Sequence, residues 1–320
     1  MYTLIEATER YLSHCKDIRG LSSYTIKAYR IDLRQLMECL GINVLLKDID
    51  KHSISKFLDY LTQNQLKPTS IKRKLACAKA MFSWLEIEEH IDASPFHKFV
   101  LNLKLPKHLP RNIAKSDLKS ILNQARSSTN TGEDRKQPFI DKHIQNGKGL
   151  NHFTALVVVE LLVTTGVRVG ELAGIKLDDV SLPEKKIKIM GKGSRERFVY
   201  ILDNELCTLI RRYIELRHVV EPQHDNFLVN SRGKPASTQF TRKLVRNISN
   251  QTNSNLKATP HMFRHSAACE FLAAGVDMRY VQKLLGHSSI STTEIYTHVS
   301  DTLLQQKLQK SNLRSAIMKK

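Results

Sequence analysis

Pro106 and Pro110 lie close together in the basic stretch Asn102-Leu103-Lys104-Leu105-Pro106-Lys107-His108-Leu109-Pro110-Arg111. Proline lacks a backbone N–H and its ring collides with the preceding helical turn, so no helix passes through this stretch. The sequence on both sides has helical period, and the stretch therefore cuts the chain into two bodies. The expected division is residues 1–103, an extended linker over 104–111, and residues 112–320. Length and composition agree. A chain of 320 residues exceeds one ordinary domain, and 41% hydrophobic residues supply a core for each of two.

The first body reads as a small helical bundle. Leu4, Thr8, Tyr11, Leu12 and Cys15 recur at helical spacing before a break at Gly20. Ser22 or Ser23 can cap a second helix with the stripe Ile26, Tyr29, Leu33, Leu36 and Leu40, and Gly41 stands where a C-terminal cap is wanted. A third helix is expected from about Ser53 to Thr62. A fourth is expected to start at Thr69 or Ser70 and to carry Ile71, Leu75, Ala78, Phe82 and Leu85.

In the second body Ser116 is expected to cap a helix to about Ala125. Ser127 to Leu150 is polar, contains Gly132, Pro138, Gly147 and Gly149, and is too long for an ordinary helix–helix connection, so it reads as a surface insertion. Helix resumes from Phe153 to Thr165 and stops at Gly166. The β signal is one hairpin: Lys186 to Met190, a turn at Gly191-Lys192-Gly193-Ser194, then Arg197 to Leu202. Helices follow near Glu205–Val219, Thr238–Asn250, His261–Ala274, Met278–Leu285 and Thr292–Val299, with an amphipathic tail carrying Leu303, Leu304, Leu308, Leu313 and Ile317. The fold class is mainly α with a small antiparallel sheet (α+β).

Lys and Arg number 50 against 31 Asp and Glu, a formal charge of +19. Such an excess suits a polyanion, because each phosphate neutralised by Lys or Arg releases condensed counterions. The longest apolar run, Ala155 to Val163, is broken by Glu160 and falls short of the ~20 residues of a membrane span. The opening residues do not read as a signal peptide. Five scattered cysteines without a Cys-x-x-Cys pair suit a reduced, cytoplasmic protein.

The chemistry is concentrated in separated motifs. Arg168 and Glu171 stand in Thr165-Gly166-Val167-Arg168-Val169-Gly170-Glu171-Leu172, just past a glycine stop and one helical turn apart. Arg grips phosphate through a planar fork that Lys cannot copy. His261 and Arg264, in Thr259-Pro260-His261-Met262-Phe263-Arg264-His265, share a helix face. Leu285-Gly286-His287 follows, and then Tyr296 in Ser291-Thr292-Thr293-Glu294-Ile295-Tyr296-Thr297-His298-Val299. Lys192 sits between two glycines of the hairpin turn, but the turn lacks the spacing of a nucleotide-binding P-loop, so ATP is not implied. His261 and His265 have the i, i+4 spacing of a zinc-binding His pair. Met262 occupies the place of the general-base Glu of such a signature and no third ligand is evident, so no metal is expected.

In order and spacing these motifs resemble the tyrosine recombinase (phage integrase) family, nearest in layout to its Xer-type bacterial members. The resemblance spans almost the whole chain. It implies that Tyr296 attacks the scissile phosphate of double-stranded DNA and forms a 3′-phosphotyrosyl bond. Arg168, Arg264, His261 and His287 would hold the phosphate, Glu171 would orient Arg168, and Lys192 would protonate the departing 5′ oxygen. The ester energy stays in the covalent link, so no cofactor is needed. It further implies a C-shaped clamp on duplex DNA, a tetramer across two sites exchanging strands through a Holliday junction, and a tail helix that packs into a neighbouring subunit. A second recombinase or an accessory DNA-bending protein belongs to the same expectation, as does a cytoplasmic, nucleoid-associated location. The connection over Ser127 to Leu150 is longer than this layout has.

Candidate DNA contacts in the first body are Tyr24, Thr25, Lys27, Arg30 and Arg34 on one helix and Thr69, Ser70, Lys72, Arg73 and Lys79 on another. Arg242, Lys243 and Arg246 form a further group in the second body. Two rivals share part of this pattern: a type IB topoisomerase-like enzyme that relaxes DNA without a partner site, and a DNA-binding protein that has lost catalysis.

Overall fold

The computed structural model describes residues 2–100, 112–129, 149–191, 195–252 and 256–286, together with 305, 308, 309, 311 and 313–318 near the C-terminus. The chain separates into two compact units, residues 1–108 and 109–320. The expected linker at 104–111 lies outside the described residues.

Unit 1 is a bundle of α1 (Leu4–Asp17), α2 (Ser23–Leu40), α3 (Lys51–Gln63) and α4 (Pro68–Ile87). Every member of the first expected stripe, Leu4, Thr8, Tyr11, Leu12 and Cys15, is buried. Ser22 caps α2 by accepting from the Thr25 amide. Two starts differ from expectation for local reasons. Helix α3 begins at Lys51, two residues before Ser53, because Asp50 is its N-cap and exchanges bonds with Ser53 in a capping box. Helix α4 begins at Pro68, one residue before Thr69, because the fixed φ and missing donor of proline suit the first helical position. Around Tyr11, Leu33, Leu36, Phe57 and Phe82, all fully buried, the four helices close on one core.

Unit 2 is built round α6 (Leu150–Thr165), which is buried along nearly its whole length. Against it pack α5 (Lys115–Ser127), α8 (Asn204–His218), α9 (Thr238–Asn250) and α10 (Pro260–Ala273). Helix α5 starts two residues earlier than a Ser116 cap would place it, with Ala114 as an N-cap that offers no side-chain bond. Two short helices, α7 (Val169–Gly174) and α11 (Met278–Leu285), complete the described helical layer. The sheet is antiparallel in the order β1 (Val180–Ser181), β2 (Lys186–Met190), β3 (Glu196–Tyr200), with Met190 opposite Glu196 at the hairpin end. Strand β1 has two residues, too short to leave an alternation in the sequence. Residues 130–148 of the expected insertion lie outside the described set, as does the helix expected over 292–299. Among the described residues no helix is long and apolar enough to cross a membrane.

The described part of the tail packs on its own unit, with Leu308 and Ile317 buried in its core. The last helix, α12 (Leu313–Met318), packs on α5 and α6. The anchor is Arg314, which donates to Glu160 at 3.3 Å and pairs with Asp203 at 3.3 Å and Glu205 at 2.6 Å. Glu160, in the middle of apolar α6 and 1% exposed, also accepts from Arg126 of α5 at 2.8 and 3.2 Å.

Burial pushes the Glu160 carboxyl up to about 7, and Arg126 only partly opposes it. A carboxyl whose folded pKa lies above its unfolded value binds its proton more tightly when folded. Its contribution to stability is therefore fully present below about pH 4.5 and is lost as pH rises through about 7. Between pH 5 and pH 8 the wild-type chain should lose roughly 2–3 kcal/mol more stability than Glu160→Gln, from 1.36 kcal/mol per pKa unit. Urea unfolding of both chains at the two pH values measures the difference, and parallel pH slopes would contradict it.

Candidate active site

The carbonyls of Leu284, Leu285 and Gly286 close the C-terminal end of α11, and each accepts from an arginine brought from elsewhere in the unit. The last carbonyls of a helix have no partner within it and carry the negative end of its dipole, which favours cations there. Arg197 of β3 donates Nε–H to the Leu284 carbonyl at 2.8 Å. Arg264 of α10 donates to the Leu285 carbonyl at 2.7 Å, and Arg168 reaches the same oxygen at 3.4 Å. Arg168 also donates to the Gly286 carbonyl at 2.9 Å. The two guanidinium groups that the motifs single out, 96 positions apart in the chain, thus meet at one oxygen.

Each is fixed from behind. Arg264 is 7% exposed and holds the Gly166 carbonyl at 3.0 Å, tying the end of α6 to the end of α11. Gly166 is left-handed (φ 62°), and a Cβ there would stand 2.8 Å from Leu285 Cδ2 and 3.1 Å from Ala267 Cβ, so both conformation and space call for glycine. Burial lowers the Arg264 pKa to about 10, with Arg168 adding to the effect and Glu171 opposing it. The group remains charged at neutral pH. Arg168, with 37% of its side chain exposed, precedes α7 and bonds to Glu171 twice: Nη1 to Oε1 at 2.8 Å and backbone N–H to Oε2 at 2.9 Å. The i, i+3 partnership expected for Glu171 is present.

Arg197 was not among the expected site residues. Its side chain is 10% exposed and forks onto Glu171, Nη1 to Oε1 at 3.0 Å and Nη2 to Oε2 at 2.7 Å. Burial alone would raise the Glu171 carboxyl, but hydrogen bonds from Arg197 and Arg168 outweigh it and leave the pKa lowered. A Cβ on Gly286 would lie 3.1–3.2 Å from the Arg197 side chain, so the arginine lies flat against the residue before His287. The sequence did hold a signal for Arg197. Strand alternation puts it on the same face as Val199, which is 1% exposed.

The other expected residues are placed less completely. His261 is exposed on the first turn of α10. His265 is half-buried, with Nε2 3.7 Å from Cys269 Sγ. Lys192, His287 and Tyr296 lie outside the described residues. The turn that contains Lys192 is closed at its base by the Gly191 amide donating to the Arg195 carbonyl at 2.8 Å, and Gly191 lies beside Glu171.

The candidate DNA contacts form stripes. On α2, Tyr24, Lys27, Arg30 and Arg34 are exposed, while Thr25 is half-buried and engaged with Ser22. Arg30 reaches Glu9 at 3.5 Å. On α4, Thr69, Lys72, Arg73 and Lys79 are exposed and Ser70 is half-buried. Between the two helices stands Asp32, fully buried, accepting from Lys74 at 2.8 Å and from Arg73. In unit 2, Arg242, Lys243 and Arg246 are exposed on α9.

Residues 139–302 match the model of the phage integrase family, and residues 8–89 match the phage integrase N-terminal SAM-like domain. A tyrosine recombinase of Agathobacter rectalis is 35% identical over 294 residues, covering 91% of this chain and 90% of that protein. The tyrosine recombinase XerC of Staphylococcus epidermidis is 31% identical over 301 residues, covering 93% and 94%. Among solved structures, the Tn1549 transposon integrase with circular intermediate DNA is similar at a TM-score of 0.68 and 18% identity, covering 96% of this chain and 99% of that one. A lambda integrase dimer bound to a core site is similar at a TM-score of 0.66 and 17% identity, covering 90% and 96%. At such identities the structures speak for the fold, whereas the family models and the sequence relatives speak for descent: the chain belongs to the tyrosine recombinase (phage integrase) family.

Proposed function

We propose that this protein is a site-specific DNA recombinase that cleaves and rejoins duplex DNA through a 3′-phosphotyrosyl intermediate and a Holliday junction. The observation that carries the reading is the meeting of Arg168 and Arg264 at the Leu285–Gly286 corner, one residue before His287 and ten before Tyr296. A phosphoryl group in transfer carries extra charge on its non-bridging oxygens, and fixed guanidinium forks offset that charge without reorganising at the moment of reaction. Both arginines are held by bonds that engage only part of their five N–H donors, which leaves donors for phosphate.

In this mechanism the Tyr296 oxygen attacks phosphorus as the P–O5′ bond breaks. His261 accepts the tyrosine proton and Lys192 donates one to the departing O5′. Rejoining is the reverse, with a 5′ hydroxyl from the partner strand as nucleophile. No cofactor enters the balance. Lys27, Arg30, Arg34, Thr69, Ser70, Lys72 and Arg73 of unit 1, with Arg242, Lys243 and Arg246 of unit 2, are read as DNA contacts. The working assembly is a tetramer on two sites in the cytoplasm. Exchange of the tail between subunits would require each Arg314 to leave its own Glu160, Asp203 and Glu205 and meet the same set on a neighbour. A lambda integrase tetramer bound to a Holliday junction has been solved, and that protein shares this fold at a TM-score of 0.65.

A nicked duplex carrying a selected binding site, from which the 5′ fragment diffuses after cleavage, tests the chemistry. The expected result is a covalent protein–DNA adduct whose digestion yields a nucleotide-linked peptide containing Tyr296. Adducts formed equally on unrelated sequence would favour the relaxing enzyme, and a bound site that yields no adduct would favour the inert binder.

A further inference from the structure

Glu171 is shared unequally between two arginines. Its two oxygens form a fork-to-fork pair with Arg197, at 3.0 and 2.7 Å, whereas Arg168 contributes one side-chain bond, at 2.8 Å, and its backbone amide. Three guanidiniums and one carboxylate meet here. The Arg197–Glu171 pair is internally neutral, so two positive charges, on Arg168 and Arg264, remain for an anion. Glu171 is 8% and Arg197 10% exposed, so solvent screens the competition for the carboxylate weakly. Arg197 cannot easily be displaced: its Nε–H holds the Leu284 carbonyl and its side chain lies against Gly286.

We propose that Arg197 is a positioning residue that occupies Glu171 and thereby keeps Arg168 from being captured by it, leaving the Arg168 charge free for the scissile phosphate. This deepens the recombinase reading and rests on it. When Arg197 is removed, the carboxylate swings wholly onto Arg168, bidentate geometry is completed there, and one of the two forks is neutralised. The damage done by the substitution is therefore caused by Glu171 and is undone by discharging Glu171. A scaffold role for Arg197 has the opposite signature, because a second substitution in the same cluster then adds to the first.

The test compares adduct formation on the nicked duplex by wild type, Arg197→Ala, and Arg197→Ala combined with Glu171→Gln. The single variant should form adduct about 100-fold more slowly, the scale of losing one charge-stabilising donor. The double variant should be at least about tenfold faster than the single one. A double variant no faster than the single one, with both melting cooperatively, overturns the proposal. If Arg197→Ala does not fold, Arg197→Lys serves in its place: one bond to Glu171 replaces the fork, and Glu171→Gln should again restore the rate. A readout in the free protein separates this proposal from the recombinase reading. In wild type Arg168 Nη2 holds the Gly286 carbonyl; in Arg197→Ala the completed fork onto Glu171 should draw that nitrogen away, shifting the Arg168 Nε and Nη resonances, and Glu171→Gln should return them. Unchanged Arg168 signals overturn the proposal whether or not adducts form, whereas adduct failure of the wild type with the expected signals overturns the recombinase reading alone.

Discussion

Arg264→Ala should slow strand cleavage by about 1,000-fold or more while leaving duplex affinity within a few-fold of wild type. Two losses combine. The guanidinium is one of the two charges proposed to face the phosphate, and removing one such fixed donor costs about 10²- to 10³-fold. The same group also holds the Gly166 and Leu285 carbonyls, which join the end of α6 to the end of α11. Without it two buried acceptors lose a charged donor, at about 1–3 kcal/mol each before relaxation, and the chain leading to His287 and Tyr296 is less well fixed. Arg168→Ala should cost less in stability, because its side chain is 37% exposed and Arg197 still pairs with Glu171. Arg264→Lys should not restore cleavage, since one ammonium cannot reproduce a planar fork that spans two carbonyls and an anion. Rates of adduct formation, gel-shift affinity and melting temperature, measured on the same preparations, separate these effects. Binding that falls in parallel with cleavage, or cleavage within tenfold of wild type, would contradict the assignment.

How much of this was legible in the sequence depended on whether a residue's partners were local. The helix faces of unit 1 follow from period alone, because burial of Leu4, Thr8, Tyr11, Leu12 and Cys15 needs only one neighbouring surface. The Arg168–Glu171 relation follows from i, i+3 geometry. Arg197 is hard to read because an arginine in a five-residue strand is expected on the solvent-facing side of the alternation, although its parity with Val199 argues for the inner face. The tail was legible as an amphipathic stripe and not as a ligand of Glu160, since its partner lies 154 positions earlier. Helix starts depart from expectation where a residue without a capping side chain takes the cap position, as Ala114 and Lys67 do. Ser or Thr is favoured at an N-cap because its side chain bonds to free amides, whereas at α4 Pro68 fills the first helical position and removes one of those amides.

Asp32→Ala should destabilise unit 1 by about 3–5 kcal/mol, the larger of the two stability effects to be expected between α2 and α4. Asp32 is fully buried and Lys74 is 5% exposed, with the ammonium 2.8 Å from the carboxylate. Removing the aspartate strands a positive charge in a site lined by the packed faces of two helices, where Ile71, Leu75 and Ala78 flank Lys74 on its own helix. Arg73 makes the contrast. It pairs with the same carboxylate, but half of its side chain is in solvent, so Arg73→Ala should cost no more than about 1 kcal/mol. Replacing both buried partners together, Asp32→Leu with Lys74→Met, should return most of the stability, because a buried ion pair barely exceeds a well-packed apolar pair in net energy. Unfolding of the full chain followed through Trp84, which belongs to unit 1, resolves the three cases, and an Asp32→Ala loss no larger than that of Arg73→Ala would refute the ranking. DNA binding discriminates further. Asp32 joins the helix bearing Lys27, Arg30 and Arg34 to the helix bearing Thr69, Lys72 and Lys79, so its loss should weaken duplex binding through both stripes at once. The apolar double variant keeps the helices together and releases Arg73 from its carboxylate, so it should bind duplex DNA nearly as well as wild type and lose only what the fixed orientation of that one guanidinium contributes.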